Sequence, residues 1–173
     1  MKIELGCSCN KTSGYLGVDM EKLPGVDVVH DLETFPYPFD DNSADEILAS
    51  HILEHLRNWR EAIAEANRIL KPKGLLIIKV PHFSCANAYS NPEHVNRFAS
   101  DTFRFMKGFK HIRTELHYMD TRYCDKKSWK RIPDKVISWL ANLNVWLCER
   151  IWMYWVGGFG EVYVELLKKE TEK

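Results

Sequence analysis

The fold is decided by the stretch NWREAIAEANRILKPKGLLIIKV, residues 58–80. Its first half repeats apolar side chains at helical spacing, and Asn58 with Glu61 forms a capping-box pattern at the start. The apolar side chains on that helical face are Trp59, Ala62, Ile63, Ala66 and Leu70. Lys71-Pro72-Lys73-Gly74 ends the helix, and the apolar run Leu75–Val80 is typical of a buried strand. The stretch therefore predicts a helix that leads directly into a sheet.

Similar short apolar runs, rich in β-branched residues, occur before and after this stretch. Each ends in a polar or turn residue, as expected for strands of a parallel sheet that are buried on both faces. The predicted further strands are Ile3–Leu5, Tyr15–Asp19, Val26–His30, Glu46–Ala49, Lys110–Met119 and Glu161–Leu167, the last being an alternating edge strand. A strand, a helix and a second strand in this order form a right-handed crossover. Asp101–Met106 and Pro133–Val156 are predicted helices.

These elements predict an α/β protein, a Rossmann-like three-layer αβα sandwich with a mostly parallel sheet and an antiparallel last strand. The 173 residues are expected to form a single domain, residues 1–173, with a helical insertion at about 120–158 before the last strand. Because the first strand begins at Ile3, the fold is expected to be truncated at its N-terminus and to lack a secretion signal. The five cysteines include no CxxC pair and indicate a reduced, cytoplasmic protein.

Charge is distributed unevenly although the formal net charge is zero. Residues 1–66 have a net charge of −8, and residues 97–135 have a net charge of +6. The balance excludes a polybasic nucleic-acid packaging protein, while the basic segment could attract an acidic substrate or an anionic surface.

In an open parallel sheet, ligands bind beyond the carboxyl ends of the strands. Here a glycine turn at Gly6 follows the first strand, and Asp19 closes the second strand. This pair suits a ribose-bearing cofactor, because the glycine lets backbone N–H groups approach and the carboxylate accepts ribose hydroxyls. Asp31 could accept the amine of adenine between the apolar side chains of Met20 and Leu32. Since GxGxxG is missing, S-adenosylmethionine fits better than a dinucleotide.

The chain resembles the class I S-adenosylmethionine-dependent methyltransferases, in particular the type 11-like small-molecule subfamily. Five motifs in order carry the resemblance over residues 2–110, with a final strand at 161–167: Glu4-Leu5-Gly6-Cys7, Gly17-Val18-Asp19, Asp31-Leu32, Ser50-His51-Ile52-Leu53-Glu54-His55 and Leu70-Lys71-Pro72-Lys73-Gly74-Leu75. The resemblance implies that the chain binds S-adenosylmethionine. The cofactor-binding residues predicted in this way are Glu4, Gly6, Cys7, Ser8, Asp19, Met20, Asp31, Leu32, Ser50 and His51.

Two features depart from that family. Ser8 stands where family members usually have a second glycine, and residues 7–14 are too few for the usual crossover helix. We therefore expect an abbreviated loop over the cofactor and weaker or partner-assisted cofactor binding.

Methyl transfer is an in-line displacement, so a general base is needed only for some acceptors. His82 and His94 are the candidate bases, and a histidine bonded only to backbone or solvent is the alternative for each. His51 and His55 lie four residues apart and could ligate a metal, but the resemblance places them beside the cofactor, so no metal site is predicted.

The tryptophan-rich helix at 133–156 has apolar residues on nearly every side. Its uncharged part, Val136–Cys148, has 13 residues, short of the roughly 20 needed to span a bilayer. Three roles stay open: a cap on the active site, a homodimer interface, or a peripheral membrane helix assisted by the preceding basic run, whose residues are Arg122, Lys126, Lys127, Lys130 and Arg131.

The predicted function is methyl transfer from S-adenosylmethionine to a small-molecule, glycan or lipid-linked acceptor by a cytoplasmic or membrane-peripheral enzyme. A nucleic-acid acceptor is disfavoured, because Ser50-His51-Ile52-Leu53 replaces the Asn-Pro-Pro-Tyr type of motif. The alternatives are a non-catalytic methyltransferase-fold module that binds a partner or membrane, and a metal-dependent hydrolase that uses the histidines.

Overall fold

The computed structural model describes residues 1–119, 131–153 and 158–170. The strands are β1 (Lys2–Leu5), β2 (Leu16–Asp19), β3 (Val28–Val29), β4 (Ala44–Ser50), β5 (Leu70–Pro81), β6 (Phe109–His117) and β7 (Glu161–Lys168). The helices are α1 (Trp59–Ile69), α2 (Asn87–Ser90), α3 (Arg131–Leu143) and α4 (Val145–Leu147), followed by a π-helical turn, Cys148–Trp152.

The strands form one sheet in the order β3-β2-β1-β4-β5-β7-β6. The strands from β3 to β5 in this order pair with one another in parallel, whereas β7 is antiparallel to both β5 and β6. The predicted α/β fold, with a mostly parallel sheet and an antiparallel last strand, is confirmed.

The position of β7 differs from the prediction. It lies inside the sheet between β5 and β6, not at an edge. Val162, Val164 and Leu166 are fully buried on one face of this strand. Alternation of apolar and polar residues indicates that one face of a strand is buried, but it does not indicate where the strand lies in the sheet.

The two faces of the sheet differ in burial. Leu76, Ile78 and Val80 of β5 are buried in the core beneath α1, while Leu75 and Ile77 on the other face are only half-buried. The prediction that every strand is buried on both faces is therefore wrong for β5. The physical reason is that residues 1–58 form no helix, so this part of the chain supplies none to cover the second face.

Helix α1 buries Trp59, Ala62, Ile63 and Ala66 of the predicted face and additionally Ile69, whereas Leu70, which was predicted on that face, begins β5. The predicted capping box does not form. The Asn58 side chain makes no cap hydrogen bond to the helix, and its Nδ2 instead donates to Glu33 Oε2 at 2.8 Å. The amide thus ties the start of α1 to the loop after β3.

The insertion between β6 and β7 is not one helix. Asn144 ends α3, and its side chain accepts the backbone N–H of Leu147 to start α4. Helix α3 lies along β6, where the Asn142 amide bonds both the N–H and the C=O of Leu116 at 2.9 Å. The side chain thereby satisfies backbone groups of an edge strand.

Three further predictions concern the second half of the chain. Asp101–Met106 forms turns, so the helix predicted there is wrong. The basic residues at 122–130 lie outside the described residues. Within the described residues, no helix has both the length and the apolar character needed to cross a bilayer.

Candidate active site

A cavity of about 510 Å³ opens at the carboxyl ends of β1, β4 and β5. Its walls are formed by Glu4, Gly6, Cys7, Ser8, Asn10, Thr12, Ser50, His51 and Lys79. The volume falls within the roughly 300–1,000 Å³ typical of small-molecule sites. The cavity lies at the edge of the sheet where ligands of open parallel sheets bind.

The loop after β1 shapes one wall of this cavity. Gly6 has a φ of +67°, and a Cβ there would lie 2.5 Å from Cγ1 of Ile52. Ser8 also adopts a positive φ, +47°, which costs a residue with a side chain more than it costs glycine. Residues 6–15 contain no helix, as the short spacing predicts.

Two carboxylates hold this loop in place. Asp19 Oδ2 accepts the backbone N–H of Ser8 at 2.8 Å, and Glu4 accepts the N–H and the hydroxyl of Thr12 at 2.6 and 3.1 Å. These bonds satisfy backbone groups that a crossover helix would satisfy internally. Oδ2 of Asp19 and the carboxylate oxygens of Glu4 therefore already accept hydrogen bonds from within the protein.

Six of the ten predicted cofactor-binding residues line the cavity: Glu4, Gly6, Cys7, Ser8, Ser50 and His51. The other four lie outside the lining. Asp19 is half-buried and hydrogen-bonded to Ser8, Met20 is 66% exposed, and Asp31 is exposed with its Oδ1 accepting the N–H of Glu33. Leu32 is buried in the core. The roles assigned to all ten stay predictions.

A buried carboxylate that the sequence reasoning missed lies beside His51. Glu161, fully buried at the start of β7, bonds His51 Nε2 through Oε2 at 3.0 Å and His117 Nδ1 through Oε1 at 2.9 Å. The hydrogen bond with Glu161 raises the pKa of His117 despite its burial. An acidic residue at the start of an apolar strand is the sequence feature that could have indicated a site here, but this feature does not identify His51 and His117 as its partners.

His82, a predicted base, is fully buried at the end of β5. Its Nε2 lies 2.9 Å from Glu149 Oε1, and its Nδ1 lies 2.6 Å from Ser84 Oγ. Glu149 belongs to the π-helical turn, so the pair joins the insertion to the sheet. The ring does not line the cavity, and its role as a base stays a prediction.

His94, the other predicted base, is 8% exposed and also lies outside the cavity lining. Its ring packs edge-on against the ring of His55, with centroids 4.7 Å apart. Burial lowers the pKa of His94. Its role as a base also stays a prediction.

Comparison with known proteins agrees with this geometry. Residues 9–78 match the family model described as a methyltransferase domain. A structure of an S-adenosylmethionine-dependent methyltransferase from Archaeoglobus fulgidus is 19% identical, with a TM-score of 0.65 over 96% of this chain and 85% of that chain. The chain has the class I methyltransferase fold. The resemblance inferred from the ordered motifs is thereby confirmed.

Other similar structures agree with this fold. A putative methyltransferase from Bacillus halodurans is 14% identical, with a TM-score of 0.62 over 98% of this chain and 92% of that chain. A putative methyltransferase bound to the Trm112 methyltransferase activator of Haloferax volcanii is 16% identical, with a TM-score of 0.61 over 98% of this chain and 82% of that chain.

A curated sequence relative is an uncharacterized 37.1 kDa transposon protein of Streptomyces fradiae, 37% identical over 62 residues. The match covers 35% of this chain and only 17% of that protein.

Proposed function

We propose that this chain binds S-adenosylmethionine in the cavity at the ends of β1, β4 and β5 and transfers its methyl group to a small-molecule, glycan or lipid-linked acceptor. The observation that carries the proposal is the position of that cavity, between the Gly6 turn and His51, in a sheet of methyltransferase order. S-adenosylmethionine, when bound, supplies an electrophilic methyl group.

The residues of the cavity fit such a ligand. The Ile52 side chain packs where a Cβ of residue 6 would lie, so only glycine fits this turn, and the wall offers the Glu4 carboxylate and the Ser50 hydroxyl as polar partners. In this proposal residues 6–8 hold the methionine part, while Ser50 and His51 border the methyl group and orient the acceptor. Asp19, Met20, Asp31 and Leu32 keep their proposed contacts with the nucleoside, which extend beyond the cavity walls.

A non-catalytic module is the second candidate. It is favoured by one specific observation: Asp19 and Glu4 already accept hydrogen bonds from the loop, so part of their capacity for a ribose or an ammonium group is used. Such a module would retain the fold and bind a partner protein or a membrane.

Calorimetric titration with S-adenosylmethionine and S-adenosylhomocysteine separates the two candidates. Gly6→Ala should weaken cofactor binding by about tenfold or more, because the new methyl group meets Ile52 and shifts the turn. Gly14→Ala is the matched control, since Gly14 also has a positive φ, +85°, but a Cβ there meets nothing within 4 Å. It should leave affinity within about twofold.

Two results would contradict the enzyme. One is the absence of binding by the folded wild-type chain at millimolar cofactor, and the other is equal affinity of the Gly6→Ala and Gly14→Ala variants. The first result favours the non-catalytic module, and the second places cofactor binding away from the Gly6 turn.

The insertion between β6 and β7 exposes apolar side chains that an acceptor or a partner could contact. Its exposed apolar face consists of Ile132, Val136, Trp139, Leu140, Leu143, Trp146, Leu147 and Ile151. No described residue of the insertion lines the cavity. A homodimer, a peripheral membrane contact and a protein activator, like the one in the Haloferax volcanii complex, are therefore proposals for this face. Transfer of labelled methyl groups to lipid and aqueous extracts, compared side by side, tests the acceptor class.

A further inference from the structure

A compact cluster of metal-ligating side chains lies beside the cavity, outside its walls. Glu54, His55 and His94 each offer one ligand atom, and these atoms all lie within 4.8 Å of one another. Glu54 and His55 follow β4, whereas His94 belongs to the loop after α2, so the fold brings the two segments together.

The cluster contains polar groups that are costly to bury alone. Glu54 is 1% exposed, and neither of its carboxylate oxygens has a hydrogen-bond partner in the described part of the chain. The nearest ring nitrogen of His51, Nδ1, lies 3.4 Å from Glu54 Oε1. Nδ1 of His94 is also buried without a hydrogen-bond partner among the described residues. A buried carboxylate is unfavourable unless a cation or several donors compensate it.

Backbone hydrogen bonds hold the two ligand-bearing segments together independently of any ligand. The N–H groups of Val95 and Asn96 both donate to the carbonyl oxygen of Glu54, at 2.8 and 3.1 Å. The Asn96 side chain donates to the carbonyl oxygens of Leu53 and Leu56 at 3.3 and 2.6 Å. The positions of the cluster are therefore set before an ion arrives, as a preformed site requires.

We infer that Glu54, His55 and His94 form a binding site for a divalent transition-metal ion, held by one carboxylate and two imidazoles. The two rings meet edge to face, at 81° with centroids 4.7 Å apart, and one nitrogen of each lies within 4.8 Å of the other and of a Glu54 oxygen. Ligands of Zn²⁺ at about 2.1 Å lie about 3.4 Å from one another, so the ligand atoms, now within 4.8 Å, must approach one another by up to about 1.4 Å when an ion binds. Three protein ligands leave an open coordination position.

The inference does not depend on the proposed methyl transfer, because metal binding is measured without S-adenosylmethionine. The metal-stripped full chain is titrated with Co²⁺ and then with Zn²⁺, and stoichiometry is checked by elemental analysis. We expect one ion per chain, a d–d spectrum without thiolate charge-transfer bands, and displacement of Co²⁺ by Zn²⁺. The absence of those bands distinguishes this site from cysteine binding.

Glu54→Gln and His94→Asn should each weaken Zn²⁺ binding by about tenfold or more and abolish the rise in melting temperature that Zn²⁺ causes. His55→Asn, at a half-buried position, serves if the other two variants do not fold. Glu93→Gln is the matched control, because Glu93 is an exposed neighbour outside the cluster.

The inference is overturned if the folded wild-type chain binds less than one ion at micromolar free Zn²⁺. It is overturned equally if the folded cluster variants keep wild-type affinity.

Discussion

Glu149 links the insertion to the sheet, and the shift of its pKa gives the free energy with which this contact stabilises the fold. Its carboxylate is 7% exposed and accepts hydrogen bonds from His82 Nε2 and from the N–H and hydroxyl of Ser100, at 2.9, 2.8 and 2.7 Å. Burial raises the pKa of Glu149, but these hydrogen bonds outweigh it and lower the pKa from 4.5 to about 2. At about 1.4 kcal/mol per pKa unit, ionised Glu149 stabilises the fold by about 3 kcal/mol.

Glu149→Gln keeps the size of the side chain and removes its charge. We expect the free energy of unfolding at pH 7, measured by urea denaturation, to fall by about 2–3 kcal/mol. Because the folded-state pKa is depressed, the stabilisation is present above pH 4.5 and is lost as the pH falls toward about 2. The difference between wild type and variant should therefore shrink on acidification.

Glu93→Gln, at an exposed carboxylate, is the control and should change the free energy by less than about 0.5 kcal/mol. A stabilising role of ionised Glu149 is contradicted if Glu149→Gln changes the free energy of unfolding at pH 7 as little as Glu93→Gln does. That role is contradicted equally if the difference between wild type and variant stays constant down to about pH 2, since the lost free energy would then not come from the ionised carboxylate.

Two further predictions concern the sheet edge. Ser8→Gly should raise the free energy of unfolding by about 0.5–1 kcal/mol in urea denaturation, because glycine relieves the positive φ and loses only part of that gain to chain entropy; a destabilised variant would show that the hydroxyl carries a contact. His117 has a pKa raised above 6.5 by its hydrogen bond with Glu161, so its stabilisation is present below pH 6.5 and lost as the pH rises through the raised pKa. Stability curves of wild type and His117→Gln should converge at alkaline pH, and a gap that widens there would contradict this assignment.

Local patterns in the sequence predicted the elements well where burial follows the period of the element. The face of α1 from Trp59 to Ala66 is buried as its 3.6-residue spacing indicates. The short loop after Gly6 followed from chain length alone, because residues 7–14 cannot form a crossover helix of several turns. The single helix predicted over 133–156 is wrong, because it is interrupted at Asn144, whose side chain caps α4. The apolar composition of the segment does not predict this interruption.

The candidate site was predictable only in part. Gly6, Ser50 and His51 follow strands of a parallel sheet, and strand ends meet at one edge whatever the details of packing. The partners of those residues come from distant segments. Glu161 and His51 are 110 positions apart in the sequence, and the residue pattern of neither segment predicts that they pair.

The sequence by itself determined the α/β class, the parallel strands, the glycine turn and the edge at which a ligand would bind, because each depends on residues close together in the chain. Tertiary structure alone decided that β7 lies inside the sheet and that Asp19 holds the shortened loop. It alone also decided that Glu54 meets His94. Strand order and side-chain pairing depend on how separate elements pack against one another, and that packing is set by the whole core and not by any single segment.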